Sequence, residues 1–155
     1  SEIDSIRERY IFFEECFSED NGRQEDLELV KCLVNLVGVD NLIVKRHPRN
    51  KFNRFEKLGI KTLEKQEIPW EVYALDSNQP EHVLLTHSSG AGLNFRFVTS
   101  KPDKTILLYR YYKDAGFFAM DDSTMRWFET YEHIFDKSVF VPDSKDELIE
   151  VLKSL

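Results

Sequence analysis

Six short apolar runs constrain this chain more than any other feature. They are Tyr10 to Phe13, Leu42 to Val44, Ile60 to Leu63, His82 to Thr86 (centred on Val83, Leu84 and Leu85), Thr105 to Tyr109 and Val139 to Val141. They read as apolar runs rather than alternations, and a strand apolar on both faces belongs to a parallel sheet covered on both sides. Helical patterns stand between them. Leu27, Val30, Val34 and Val37 fall on one stripe of a segment from about Arg23 to Val37, with Gly38 as its stop. Pro69 opens a second helix at Trp70, and a third runs from the Gly90-Ala91-Gly92 turn through Phe97. Asp122 or Ser123 caps a fourth that carries Trp127, Phe128, Tyr131 and Phe135. Ser144 and Glu147 form a capping box for the last, with Leu148, Leu152 and Leu155 facing inwards. Residues 1–9 are charged and read as frayed or helical. Strands alternating with helices predict an α/β fold with a mostly parallel sheet and right-handed crossovers.

At 155 residues the expectation is one domain. Lys and Arg number 21 against 28 Asp and Glu, for a net charge of -7, which argues against nucleic acid as a partner. One local basic pocket is still compatible with that balance. The densest cationic group is Lys45, Arg46, His47 and Arg49, directly after the second apolar run. Cys16 and Cys32 lack metal-ligand spacing and read as free thiols of a reducing cytoplasm, with a single disulfide as the alternative. No run approaches a membrane span or a signal peptide. The opening at Ser1 without a methionine reads as a piece of a longer protein.

Three loops at predicted strand ends carry polar groups suited to chemistry, which is where open α/β sheets bind ligands. In Glu19-Asp20-Asn21-Gly22 a carboxylate can serve as a general base towards a hydroxyl, or Asp20 or Asn21 simply caps the next helix. In the basic corner, His47 is biased to an extended backbone by Pro48. Its imidazole and the neighbouring cations can bind a phosphate and neutralise it as a bond breaks; the alternative is a solvated charged turn. In Ser88-Ser89-Gly90, hydroxyls at a helix start can wrap a phosphate, or form an ordinary cap. Gly90-Ala91-Gly92 is not a dinucleotide fingerprint, because Phe95 stands where a third glycine belongs. His87 reads as structural, and His82 and His133 have no partner in the sequence.

Taken in order, an acidic loop with glycine (Glu19, Asp20, Gly22), His47-Pro48, Pro69-Trp70-Glu71 and Ser88-Ser89 resembles the bacterial sialyltransferases of lipooligosaccharide and capsule, polysialyltransferases included. The resemblance spans about residues 10 to 110. It implies a Rossmann-like three-layer domain of about six strands, the nucleotide-sugar half of a two-domain GT-B fold. The acceptor half would lie upstream, in another chain, or be missing. It also implies that His47-Pro48 and Ser88-Ser89 contact the CMP part of CMP-sialic acid, with Lys45, Arg49 and Gly90 beside them and Glu71 on the ribose hydroxyls. Asp20, with Glu19 second, would take the proton of the acceptor hydroxyl. Here Asn21 separates the carboxylates from Gly22, a departure from the family pattern. No cofactor and no metal are expected. The partners would be the nucleotide sugar and a glycan acceptor, in the cytoplasm or at the inner face of its membrane, with peripheral membrane association and a homodimer as options for the full-length protein. Two other readings compete: another GT-B enzyme handling phosphate (a glycerophosphotransferase or a sugar-nucleotide epimerase), and a non-catalytic module that binds a nucleotide or a protein.

Overall fold

A computed structural model of the chain describes residues 3–16, 24–117, 120–135 and 137–155. Six strands form one sheet: β1 (Tyr10–Phe13), β2 (Leu42–Lys45), β3 (Lys61–Thr62), β4 (Val83–Thr86), β5 (Lys104–Leu107) and β6 (Val139–Phe140). Their order is β3-β2-β1-β4-β5-β6, and every neighbouring pair is parallel. The helices are α1 (Gln24–Val37), α2 (Trp70–Leu75), α3 (Ala91–Asn94), α4 (Tyr109–Asp114), α5 (Asp122–Ile134) and α6 (Lys145–Ser154). This is an α/β, Rossmann-like three-layer domain.

Side chains alternate across a strand, so β1, β2, β4 and β5 feed cores on both faces. Phe12, Leu42, Val44, Val83, Leu85 and Ile106 point to one face, where Leu29, Val30 and Leu33 of α1, Tyr112 of α4, and Leu148 and Leu152 of α6 cover them. On the other face, Ile11, Phe13, Ile43 and Leu84 pack against Trp70, Tyr73 and Ala74 of α2 and against Phe95. Leu107 and Val139 meet Leu93 of α3 and Phe128 of α5 there. The step from β1 to β2 is covered on the first face, and the step from β4 to β5 on the second. Opposite directions on opposite faces are what a single crossover hand requires. The order therefore reverses between β1 and β4, which opens a crevice at their carboxyl ends.

Several local expectations shift. Lys45 is the last residue of β2 rather than the first of the corner. The fifth strand stops at Leu107, and Tyr109 opens α4, a helix absent from the periodicity reading. The segment from Ile3 is not helical: buried Ile6 donates its amide to Gln79 Oε1 at 2.9 Å, and Gln79 Nε2 donates to the Asp4 carbonyl at 2.9 Å. Burial on α1 is deepest at Leu29, Val30, Leu33 and Asp26, which leaves Leu27, Val34 and Val37 on its shoulder. Asp121, of the adjacent Asp121-Asp122 pair, caps α5 by accepting from the Thr124 amide at 3.0 Å, and Ser123 does not. Ser144 caps α6, but the Glu147 carboxylate returns to the Asp143 amide instead of Ser144's own. The helix after β4 is one α turn followed by a 3-10 turn, Phe95–Phe97. It lies so close to the sheet that a Cβ on Gly92 would stand 3.0 Å from Thr86 Cγ2. Among the described residues, no helix is long and apolar enough to cross a membrane.

Candidate functional site

Parallel register brings three loops to one edge. Phe13 pairs with Lys45 on one side and with Thr86 on the other. The residues that follow, Glu14 and Glu15 after β1, Arg46 and His47 after β2, and His87 and Ser88 after β4, therefore leave the sheet at a common level. β2 and β4 flank β1, so their ends stand roughly 10 Å apart at ordinary strand spacing. His47 and the twin serines, distant in sequence, lie on the same edge.

The two glutamates at the end of β1 stitch these loops together. Glu14, whose side chain is fully buried, accepts from the His47 amide at 3.0 Å and from Arg54 Nη2 at 3.0 Å. Glu15 faces the other way. Its Oε1 accepts from the Ser88 amide at 3.2 Å and from the Thr86 hydroxyl at 3.3 Å. Its carbonyl accepts from Asn50 Nδ2 at 3.3 Å, which ties β1 to the turn after the basic corner. Its amide donates to Asp26 Oδ2 at 2.9 Å. Asp26 is wholly buried and also accepts from the Tyr112 hydroxyl. Burial raises the Asp26 carboxyl to about 7; the Tyr112 and Glu15 hydrogen bonds oppose that rise and the Glu15 charge adds to it.

The basic corner separates into side chains with different tasks. Lys45 is buried, and its ammonium donates to the Gln66 carbonyl at 3.2 Å. Burial lowers its pKa against the pull of Glu71 and Glu67, so Glu71 on α2 sits in the field of Lys45. Arg46 Nη2 donates to the Asn50 carbonyl at 2.8 Å and braces the turn. Pro48 and Arg49 are exposed. The Arg49 amide donates to His47 Nδ1 at 3.1 Å. That contact makes Nδ1 an acceptor, so the neutral imidazole carries its proton on Nε2 as a donor. Burial first, then the Arg49 charge, lowers the His47 pKa, with Glu14 acting the other way.

On the serine loop, the Ser88 hydroxyl lies 2.7 Å from His87 Nδ1, and the His87 ring packs edge-on against Tyr112 at 4.6 Å. The Ser89 amide donates to the Thr86 hydroxyl at 2.9 Å, and Ser89 Oγ accepts from the Ala91 amide at 3.3 Å. Half-buried Gly90, rather than Ser89, is the N-cap of α3, a single turn too short to carry much of a helix dipole. Asp20 and Glu19, the expected base, lie outside the described residues.

Sequence reasoning passed over Glu14, Glu15 and Asp26. For the glutamates the signal was present: they are the first residues past a buried strand. For Asp26 it was only its position three residues before Leu29, in line with the buried stripe of α1, and it was masked by the neighbouring Glu25 and Glu28.

Among the described residues, two open clefts lie away from this edge. A cleft of about 250 Å3 sits between the amino-terminal segment and β3, lined by Ile3, Ile6, Leu63 and Tyr73 among others. Another of about 360 Å3 separates α6 from the end of α1. Neither cleft is lined by His47, Ser88 or Ser89. Among the described residues, no group of three or more His, Cys, Asp or Glu side chains is placed to hold a metal ion. Comparison of the chain with protein-family models, with curated proteins and with solved structures finds no match.

Proposed function

We propose that this domain binds a cytidine monophosphate sugar, CMP-sialic acid, in the crevice between β1 and β4 and supports transfer of the sugar to a glycan hydroxyl of a cell-surface polysaccharide or lipooligosaccharide. One observation carries the reading. The loops after β2, β1 and β4, with His47, Glu14, Glu15 and Ser88, form one hydrogen-bonded edge at the reversal of strand order. Ligands of open α/β sheets bind at that position. The cytidine base and the sialyl group come from the order of the His-Pro, Pro-x-Glu and Ser-Ser motifs. The two-domain GT-B arrangement has the same source.

In this reading the phosphate lies between His47 Nε2–H and the hydroxyls of Ser88 and Ser89. Glu71 reaches the ribose. The acceptor oxygen attacks the anomeric carbon from the face opposite the phosphate and inverts it. Its proton passes to a carboxylate, Asp20 by the motif. The bond from sugar to phosphate breaks, and its electron pair goes to the departing CMP oxygen. A neutral His47 that donates a hydrogen bond, joined by two hydroxyls, steadies the charge growing there.

Calorimetry with CMP, CDP and UDP tests the proposal. CMP should bind best. His47→Ala should weaken it roughly tenfold to a hundredfold, as loss of one hydrogen bond to a charged group does. A preference for UDP, or equal CMP affinity in His47→Ala, refutes it.

A further inference from the structure

The cleft between α6 and the end of α1 lies at the amino ends of β1 and β2, away from the crevice. Its apolar wall is Leu36, Val37, Ile149 and Leu152, and it bears two exposed cations, Arg9 and Lys153. Among the described residues, no Asp or Glu lines it. Such a lining runs against the balance of a chain with net charge -7. Neither cation is committed elsewhere. Among the described residues, no ion pair includes Arg9 or Lys153. Glu8 and Asp40, the carboxylates next in sequence to Arg9 and Asn41, are turned to Lys61 at 3.2 and 3.9 Å. Carbonyls at a helix end are the other usual claim on a cation. Here the Val37 carbonyl accepts from Asn41 Nδ2 at 2.7 Å, the Val34 carbonyl from the Gly38 amide at 2.9 Å, and the Val151 carbonyl from the Ser154 hydroxyl at 2.7 Å.

We propose that this cleft binds an aliphatic carboxylate, a free fatty acid of medium length, with its tail on Leu36, Val37, Ile149 and Leu152 and its head beside Arg9 and Lys153. The tail gains by leaving water, and the head meets two cations that need not give up another partner. At about 360 Å3 the cleft is at the small end of ligand sites, which suits one short chain. A bilayer presents the same combination of tail and anionic head. The net charge of -7 opposes approach to an anionic membrane surface, so the free acid is the ligand. The inference is independent of the nucleotide reading, because cleft and crevice lie at opposite ends of the strands.

Calorimetry and amide resonances with octanoate, decanoate and decyltrimethylammonium, each below its micelle concentration, test the proposal. Decanoate should bind and shift the amides of Asn41 and Ile149. It should bind roughly tenfold tighter than octanoate, which buries two methylenes fewer. The cation with the same tail should bind at least about tenfold more weakly than decanoate. Arg9→Gln with Lys153→Gln changes two exposed side chains and so keeps the fold; it should weaken decanoate about tenfold. Absence of decanoate binding, equal affinity in the double variant, or equal binding of the cation overturns the inference. Binding to phosphatidylglycerol vesicles without a response to monomeric decanoate also overturns it, in favour of a membrane surface. The CMP titration is a separate measurement, and neither result decides the other.

Discussion

Arg54 and Glu14 form a largely buried ion pair beneath the edge at which the loops after β1 and β2 meet. The Glu14 side chain is fully buried, and Arg54 is 14% exposed. Removing one partner of such a pair strands a charge away from water. Arg54→Ala should therefore cost roughly 3 kcal/mol in urea denaturation, and Glu14→Gln in the same background should recover part of that loss. Asp26 acts in the opposite sense. Its folded carboxyl titrates at about 7, above its ordinary 3.8, so between those values the folded chain holds a proton that the unfolded chain has released. Stability from this group falls as pH rises through that window and levels off above it. The stability of Asp26→Asn relative to the parent should thus grow by roughly 1–3 kcal/mol from pH 5 to pH 8. Paired melts at the two pH values measure it, and a constant difference would show that Asp26 is charged throughout. Such residues were only half legible in the sequence. His47 and the twin serines stood out because their neighbours are polar or small. Glu14 and Asp26 did not, because a carboxylate among charged or helical neighbours looks like surface until the fold buries it.

At the scale of elements, the strands were legible and their ends were not. Leu42 to Val44 and Val83 to Leu85 are apolar enough to fix two neighbours of β1, but Lys45 extends β2, paired with Phe13, while its buried side chain reaches the Gln66 carbonyl with its head. The aromatic run Tyr109 to Tyr112 gave no helical stripe, since Tyr111 and Tyr112 face one core and Tyr109 another. Gly90-Ala91-Gly92 is not a dinucleotide fingerprint, and its last glycine answers to packing instead. The carbonyl of Gly92 accepts from the Thr105 hydroxyl at 2.6 Å, and its Cα has no room for a methyl beside Thr86 and Thr105. Gly92→Ala should destabilise the domain by roughly 1–3 kcal/mol through overpacking. Adding Thr86→Ser, which removes the opposing methyl and keeps the hydroxyl on Glu15, should return part of it. If the double variant is no more stable than Gly92→Ala alone, the clash lies elsewhere.

At the scale of the molecule, the sheet ties both cores into one unit. β1 gives Phe12 to one face and Ile11 and Phe13 to the other, and β2 and β4 divide in the same way. Neither core can come apart while the strands keep their order, because the same backbone ladder supports both. The crevice depends on that ladder: three strand ends hold His47, Glu15 and Ser88 level only while β2, β1 and β4 remain paired. Loss of either core should therefore abolish the site and the fold together, as in a two-state domain. The two tryptophans allow this to be measured. Trp70 is 1% exposed in the core under α2, whereas Trp127 is 50% exposed on α5, which packs through buried Phe128 with half-buried Met125 and Tyr131 beside it. In Trp127→Phe the fluorescence reports Trp70 only. Its urea midpoint should coincide with that of the far-ultraviolet circular dichroism, which sums the helices of both faces. A Trp70 transition at lower urea than the helical one would mean that the α2 face opens first, and that the edge joining His47 to Ser88 is assembled on a separable layer rather than on the sheet as a whole.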